Sequence, residues 1–539
     1  MAYVDSSGEE AGRLILFEDE HLLVVNKPAG MNTHAPSPYA GEGIYEWLKH
    51  REPRWASLAI VHRLDKETSG VMVFGKTTVA NRSLTEQFTN HSIRKKYLLL
   101  TDKVVSSQTS TMVSCLVRVG EKYLSRPVHA GGEKAETHFE VITKAEGGTL
   151  VEAEPITGRT HQIRVHAAEQ GFPILGDALY GGTKASRVCL HAAELKLKHP
   201  GTNAEMTFRA EPNFQENARL VLREAVVDQK ETNAWRLIHG ASDGWAGWYV
   251  ERLGDFLLSQ SEQPVSAEQK AELQRLMNLY SARGVFHKIL NKQVRRTNVQ
   301  QASPQLVLGD AVPDVFTMQE NGLRYELSFN EGYSVGLFLD QRDNRRRIVA
   351  NHIAAGFPLF PNGAERKEVL NTFAYTCGFS VCAAKVGAKV TSLDLSKKYL
   401  EWGKRNFELN QIDPTQHDFI YGDTFDWMKR LGKKGRAYDL IVLDPPTFSQ
   451  SKEHGAFQAE KDYGELVSAA LPILKSQGVL LASTNAARLE PEKFLEMVSA
   501  AVLATRRKIL QQHYVPQPPD FPVSREEPAY LKTVWLRVS

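Results

Sequence analysis

Cysteine is scarce in this chain. Four stand in 539 residues, Cys115, Cys189, Cys377 and Cys382, at spacings that make neither a disulfide framework nor a zinc-ligand set. Long apolar runs are missing as well: none approaches the roughly 20 residues of a membrane span. Met1 to Gly12 is polar and acidic, without the basic and apolar regions of a signal peptide. These absences predict a reducing, aqueous, cytoplasmic setting with no metal and no membrane partner. Excess charge of one sign is also lacking, since 66 Lys and Arg against 63 Asp and Glu leave a formal net charge of +3. A nucleic-acid partner would therefore have to be met by local basic surface, not by the total. Repeats and low-complexity tracts are absent, and the length is too great for one hydrophobic core.

What is present divides into stretches. From Leu14 to about Pro212, short β-type runs alternate with helices; His21–Asn26, Val71–Gly75 and Lys96–Leu100 read as strands, with Val24, Val25, Val71 and Val73 supplying β-branched residues. Ala218, Leu220, Val221 and Ala225 recur at helical spacing among charges and predict a connecting helix. A middle region, about Trp235 to Asn330, holds strand-like segments, a helix over Ala267–Leu279 and a polar basic loop, Asn291–Gln301. From Val369 onward strands and helices alternate: Val369–Phe373, Phe379–Lys385, Val390–Asp394, Lys397–Asn410, Asp418–Tyr421, Phe425–Leu431, Asp439–Leu443 and Val479–Ser483. That pace predicts a parallel sheet covered on both faces. The expected divisions are 1–212, a linker helix at 213–233, a middle domain at 234–330 and a final domain at 331–539.

His62-Arg63-Leu64-Asp65-Lys66-Glu67-Thr68-Ser69-Gly70 sets Asp65 among basic residues, where cations favour an ionised carboxylate able to act as a nucleophile. Taken alone, the segment reads equally as a surface turn. Gly158-Arg159-Thr160-His161-Gln162-Ile163-Arg164-Val165-His166 looks like a helix start, with Thr160 as cap, Gly171 as terminator, and His161 and Arg164 on one face. An arginine there can pair with a carboxylate or hold phosphate; a basic solvated helix is the plainer alternative.

Together with Val24–Gly30, Lys95-Lys96-Tyr97, Ile174–Asp177 and Tyr180-Gly181-Gly182, these segments resemble the RluA-type pseudouridine synthases. The resemblance implies isomerisation of uridine in RNA without a cofactor. By it, Asp65 is the catalytic aspartate and Tyr97 stacks on the base. Arg164 pairs with Asp65, with Arg159 as fallback, and Arg63 fills the gap left by the flipped-out base. Arg159 and His161 complete the expected RNA contacts. Flipping is required because the glycosidic bond is inaccessible within a stack.

In the C-terminal half, Asn371–Phe379 lies between a strand and a helix, where backbone can approach a ligand at a sheet's carboxyl edge. Gly378 is its only glycine, so this is not a GxGxxG loop. Asp394 and Asp423 end the next two strands; such acids either hold a ligand or cap the following helix. Asp444-Pro445-Pro446-Thr447-Phe448 follows the fourth strand, and consecutive prolines make a rigid loop presenting an acid and a ring. These features, with Arg236–Asp255 and Gly336–Arg345, resemble large-subunit ribosomal RNA methyltransferases of the RlmI and RlmK kind. The resemblance implies S-adenosyl-L-methionine as cofactor, met by Phe373, Tyr375, Thr376, Asp394, Leu395 and Asp423, with Gln341 and Arg342 near its amino-acid end. Asp444 would be catalytic, and Pro445, Pro446 and Phe448 would meet the RNA base. Arg345-Arg346-Arg347 would contact phosphate or form a solvated helix face.

Cytosine carbon 5 needs a cysteine nucleophile, and the stretch where that pattern places it reads Ser483-Thr484-Asn485. Guanine nitrogen 7 needs only positioning, and Thr447-Phe448-Ser449 with Asn485 suits the RlmK pattern better, while Pro528–Lys532 suits RlmI. The expected chain is thus multidomain: an α+β pseudouridine synthase with a mixed antiparallel sheet, a small α+β middle domain, and an α/β Rossmann-like class I methyltransferase. Its expected partner is structured RNA, foremost large-subunit rRNA. The alternatives are one catalytic half beside an RNA-binding module, or cytosine-5 methylation.

Overall fold

A computed structural model describes residues 14–145, 147–290, 302–332, 334–451 and 455–539. The expected basic loop at Asn291–Gln301 and the acidic segment Met1–Gly12 lie outside them. The chain divides into two compact units, one of residues 1–36, 42–49 and 54–226, the other of residues 37–41, 50–53 and 227–539.

The first unit is built on an 11-stranded mixed sheet. Its central strands are Leu22–Lys27, Ser69–Gly75, Leu190–Lys198, Arg94–Thr101 and Gly148–Pro155, in that spatial order. Most pairs are antiparallel; Ser69–Gly75 and Leu190–Lys198 run parallel. Leu22 to Val25 are wholly buried, as are Met72 to Phe74, so both faces of these strands are covered, and apolar β-branched runs are what such strands need. Gly70, at φ +117°, lies where the parallel neighbour comes closest: a Cβ there would stand 2.3 Å from the Ala192 carbonyl oxygen. Glycine thus permits the strand that follows Asp65 to dock beside the one paired with Tyr97.

The second unit begins with a five-stranded sheet, Ala234–His239, Trp248–Leu253, Phe256–Ser261, Gly284–Ile289 and Gln305–Gly309. Its one parallel pair is joined through helix Ala267–Leu279. That helix starts where sequence places it because Ser266 and Gln269 form a reciprocal capping box.

A seven-stranded sheet follows, in the spatial order Asp418–Tyr421, Lys389–Asp394, Glu368–Thr372, Tyr438–Leu443, Leu474–Thr484, Lys532–Val538, Ile509–Val515. The first five are parallel and Lys532–Val538 inserts antiparallel. Alternate residues feed two separate cores: Val369, Leu440, Val442, Val479 and Leu481 pack on one face, Leu370, Ile441, Leu443, Leu480 and Ala482 on the other. The alternating strand–helix pattern therefore does correspond to a sheet buried on both sides. Strand order reverses between Glu368–Thr372 and Tyr438–Leu443, and ligands of open α/β sheets bind outside the carboxyl ends at such a switch.

Candidate active sites

In the first unit, Asp65 sits on the turn entering strand Ser69–Gly75, and the main chain on either side of it is pinned. Thr33 Oγ1 donates to the Leu64 carbonyl at 2.8 Å and accepts from the Leu64 N–H at 3.1 Å. Lys27, wholly buried, donates from Nζ to the carbonyls of Met31, Pro28 and Lys66 at 2.7, 2.9 and 3.3 Å. Burial pulls its ammonium down to about 7, opposed by Glu67 and Asp65.

The Asp65 side chain lines a cavity of about 530 Å³ together with Tyr97, Arg164, Arg63, Arg159 and His161. All six residues singled out in this half share one pocket. Tyr97 extends from strand Arg94–Thr101, and burial, reinforced by Asp65, pushes its phenol above the ordinary range. Arg164 Nη1 stands 3.5 Å from Asp65 Oδ2 and 3.9 Å from Glu67. Its strongest partner is Asp177, met bidentately at 2.7 and 2.8 Å. Burial opposes the guanidinium charge, but Asp177, Asp65 and Glu67 more than offset it. Asp177 is the residue whose role the sequence concealed.

Helix Gln162–Glu169 does not begin on a Thr160 cap. His161 precedes it in the left-handed region, φ 57°, without a side-chain capping bond, and Thr160 Oγ1 instead accepts from Arg63 Nη2 at 2.8 Å. The end is as expected, with Gly171 at φ +83°. His161 leaves the helical face but still turns toward the acid: its Nδ1 lies 2.7 Å from the Tyr180 hydroxyl and its Nε2 3.9 Å from Asp65. Arg159, partly exposed, donates to the Lys134 carbonyl and pairs with Glu133.

In the second unit, the loop after strand Glu368–Thr372 carries left-handed backbone at Phe373, Tyr375 and Cys377, with φ of 53°, 48° and 64°. Its N–H groups are already engaged: that of Ala374 by the Leu393 carbonyl, that of Tyr375 by the Asp394 carboxylate and that of Cys377 by the Ala374 carbonyl. Asp394 ends the adjoining strand, and its two oxygens accept from the Tyr375 and Ser396 N–H groups, both at 2.8 Å. Burial raises its carboxyl and those N–H groups oppose the rise. Leu395 is 40% exposed beside it. Thr376 is buried and donates to the Gly336 carbonyl. Asp423, buried, caps helix Thr424–Lys433 by accepting from the Asp426 N–H at 3.1 Å, so capping, the plainer alternative, is realised there. An acid on the adjoining strand and an exposed apolar side chain beside it fit a ribose and a flat ring.

Asp444 leaves the fourth strand half-buried, Pro445 is buried, and Pro446 and Phe448 are exposed. Burial first and Asp340 second push the Asp444 carboxyl up to about 7. Thr447 Oγ1 donates to Asn485 Oδ1 at 2.9 Å, joining the two loops that the sequence had paired. Phe338, 54% exposed, packs on Tyr375 with ring centres 5.4 Å apart.

Two expectations need correction. Arg342 does not present itself to a ligand: it is buried and held bidentately by Asp520 at 2.7 and 2.9 Å. Gln341, by contrast, stays beside the site, donating to Asp444 at 3.1 Å and Ser483 at 2.8 Å. Arg345, Arg346 and Arg347 are neither a solvated face nor a phosphate contact, because all three are buried, with Arg345 paired bidentately to Glu320. Cys377 and Cys382 are wholly enclosed, and burial pushes both thiols up to about 12, far from a nucleophilic thiolate.

Comparison with known proteins follows the same division. A family model described as S-adenosylmethionine-dependent methyltransferase matches residues 251–537, and one described as RNA pseudouridylate synthase matches residues 21–169. The chain belongs to the S-adenosylmethionine-dependent methyltransferase family, with an RNA pseudouridylate synthase domain before it. Among relatives, a ribosomal RNA large subunit methyltransferase of Deinococcus radiodurans is 32% identical over 57% of this chain and 73% of its own length. The ribosomal RNA large subunit methyltransferase I of Aeromonas salmonicida is 31% identical over 58% and 77%. The ribosomal large subunit pseudouridine synthase C of Yersinia pestis is 41% identical over 36% of this chain; the chain spans 64% of that synthase's length. Among the described residues, no helix is long and apolar enough to cross a membrane, and no group of three or more His, Cys, Asp or Glu could hold a metal.

Proposed function

We propose that the chain is a bifunctional enzyme that isomerises uridine to pseudouridine and methylates guanine nitrogen 7, both in large-subunit rRNA, in the cytoplasm. The observation that carries the first activity is Asp65 on the wall of a cavity large enough for a base, faced by Tyr97 and Arg164. In that reading Asp65 attacks the flipped-out nucleotide. The bond from N1 to the sugar breaks, the base turns, and carbon 5 bonds to the sugar as the bond to Asp65 breaks and frees the carboxylate; the proton leaves carbon 5 and N1 takes one up, so no cofactor is consumed. Tyr97 stacks on the base and stands where that proton moves. Arg164 steadies the Asp65 charge, Arg63 occupies the vacated stack, and Arg159 and His161 hold the RNA.

For the second activity, Phe373, Tyr375 and Thr376 with Asp394, Leu395 and Asp423 would hold S-adenosyl-L-methionine, which supplies an electrophilic methyl group on sulfur. Asp394 suits the ribose hydroxyls and Asp423 the adenine amino group. Asp444 orients the target base against the rigid Pro445-Pro446 turn and the Phe448 ring. Nitrogen 7 bonds the methyl through its own lone pair as the sulfur–carbon bond breaks, so the chain must position the base, not activate it. Asn485 beside Thr447, together with sealed cysteines, supports guanine over cytosine carbon 5.

Unmodified large-subunit rRNA incubated with the protein, with and without the methyl donor, then hydrolysed to nucleosides, tests both activities. Pseudouridine without donor and 7-methylguanosine only with it is the expected result. One product alone would leave the other half as an RNA-binding module, and 5-methylcytidine would overturn the choice of base.

A further inference from the structure

Strand Arg94–Thr101 opens with three cations in succession, and two of them are matched by acids. Arg94 meets Glu154 bidentately at 2.6 and 2.9 Å, and Lys96 meets Glu152 at 2.7 Å. Lys95 has no such partner: among the described residues no carboxylate oxygen stands within 4.0 Å of its ammonium. Residues two apart on a strand share a face, so Lys95 points the same way as Tyr97, and both line the cavity that holds Asp65. Lys95 Nζ donates to the Thr157 carbonyl at 3.4 Å and lies 3.7 Å from where a Cβ on Gly158 would stand. Thr157 and Gly158 line the same cavity, which places the charged end of Lys95 at its wall. An ammonium has three N–H donors, and one long bond leaves two of them unengaged. Burial pulls this ammonium down, and no neighbouring charge offsets the pull.

The three arginines on that wall are engaged elsewhere: Arg164 with Asp177 and Asp65, Arg159 with Glu133, and Arg63, from an exposed position, with Thr160. His62, whose imidazole feels the Lys95 charge, adds none of its own. Its Nε2 accepts from the Val73 N–H at 3.0 Å, so the single ring hydrogen is on Nδ1. Among the described residues lining the cavity, Asp65 is the one acid, and it is not among the charges that act on Lys95. We propose that Lys95 is the phosphate seat of this cavity: its ammonium holds one phosphate of the RNA strand beside the flipped-out uridine, while Asp65 meets the sugar. This rests on the reading of the Asp65 cavity as the nucleotide site. A phosphate there supplies the charge-assisted bonds that the buried ammonium lacks, and it ties the strand at a point apart from the acid. A carboxylate in that place would compete with it; Arg94 and Lys96 have one and Lys95 does not. A uracil carbonyl is the other acceptor such a nucleotide offers, and salt separates the two, because only a phosphate contact releases counterions.

The test is single-turnover pseudouridine formation by the full chain on unmodified large-subunit rRNA, at rising protein concentration and between about 50 and 200 mM salt. Lys95→Met should raise the half-saturating concentration about tenfold at the low-salt end and leave the plateau rate within about twofold. The slope of log affinity against log salt should become shallower by about 0.7, the share of one single-strand phosphate. Lys95→Arg keeps the charge and should keep the slope. Taking away an unpaired buried charge should leave the urea midpoint of Lys95→Met no lower than that of the unaltered protein; Lys95→Gln answers where Lys95→Met does not fold. An unchanged slope with a fallen plateau would move Lys95 onto the base and overturn the phosphate seat. An unchanged slope with a fallen urea midpoint would make Lys95 structural and overturn it as well, as would a variant indistinguishable from the unaltered protein. No pseudouridine from the unaltered protein would instead overturn the nucleotide-site reading, and the proposal with it.

Discussion

Arg164 is held by Asp177, at 2.7 and 2.8 Å, and only then reaches Asp65, at 3.5 Å. The arginine beside the nucleophile is thus fixed from behind, in a pair of which both members are almost fully enclosed. Removing one partner of a buried ion pair leaves the other charge uncompensated. Asp177→Ala should lower stability by about 3–5 kcal/mol and slow pseudouridine formation at temperatures where the variant is folded. Urea denaturation followed by tritium release from labelled uridine checks both; unchanged stability would remove Asp177 from this role.

The nucleophile itself gives a cleaner separation. Asp65→Ala should abolish pseudouridine formation and leave methylation intact, because no residue assigned to methyl transfer lies in its cavity. Nucleoside analysis after incubation with the donor reads both products together. Loss of both would contradict independent sites.

Asp394 gathers two backbone N–H groups and still has acceptor capacity for a ribose. Asp394→Ala should weaken binding of the methyl donor by tenfold or more, about 1.4 kcal/mol or above, as read by calorimetry. Undiminished binding would take it out of the cofactor seat.

Three histidines of the first unit, His62, His166 and His191, are pulled down by burial to about 3, 4 and 4. The unfolded chain protonates them near 6.5, so it binds more protons than the folded chain between that value and about 4. Their stabilising contribution is therefore complete above about pH 6.5 and is lost as pH falls toward the folded values. Urea midpoints should drop between pH 7 and pH 5, and His166→Gln should flatten part of the drop. Equal midpoints at the two pH values would refute this.

Legibility in the sequence followed locality. Helix Ala267–Leu279 was readable to the residue because its capping box lies within four positions. Asp65, Tyr97 and Arg164 were readable as motifs, since their chemistry is carried by adjacent letters. The basic run at Arg345 to Arg347 misled because Glu320 stands 25 positions away from Arg345, as Asp520 stands 178 from Arg342, and a distant counter-charge makes no local pattern. The start of helix Gln162–Glu169 misled for a related reason: Thr160 has a hydroxyl suited to capping, but Arg63 claims it from 97 positions away.

The left-handed turns at Phe373, Tyr375 and Cys377 set a limit on anyone who would make this protein hardier. Glycine at any of the three would relieve roughly 1–2 kcal/mol of backbone strain, less than the several kcal/mol lost when a packed aromatic ring is cut away. The same exchange would delete rings that pack on Phe457 and Phe338, or open a void where Cys377 is sealed. The strain is therefore held in place by the packing around it, and a glycine there would leave a slacker loop with no gain in heat tolerance.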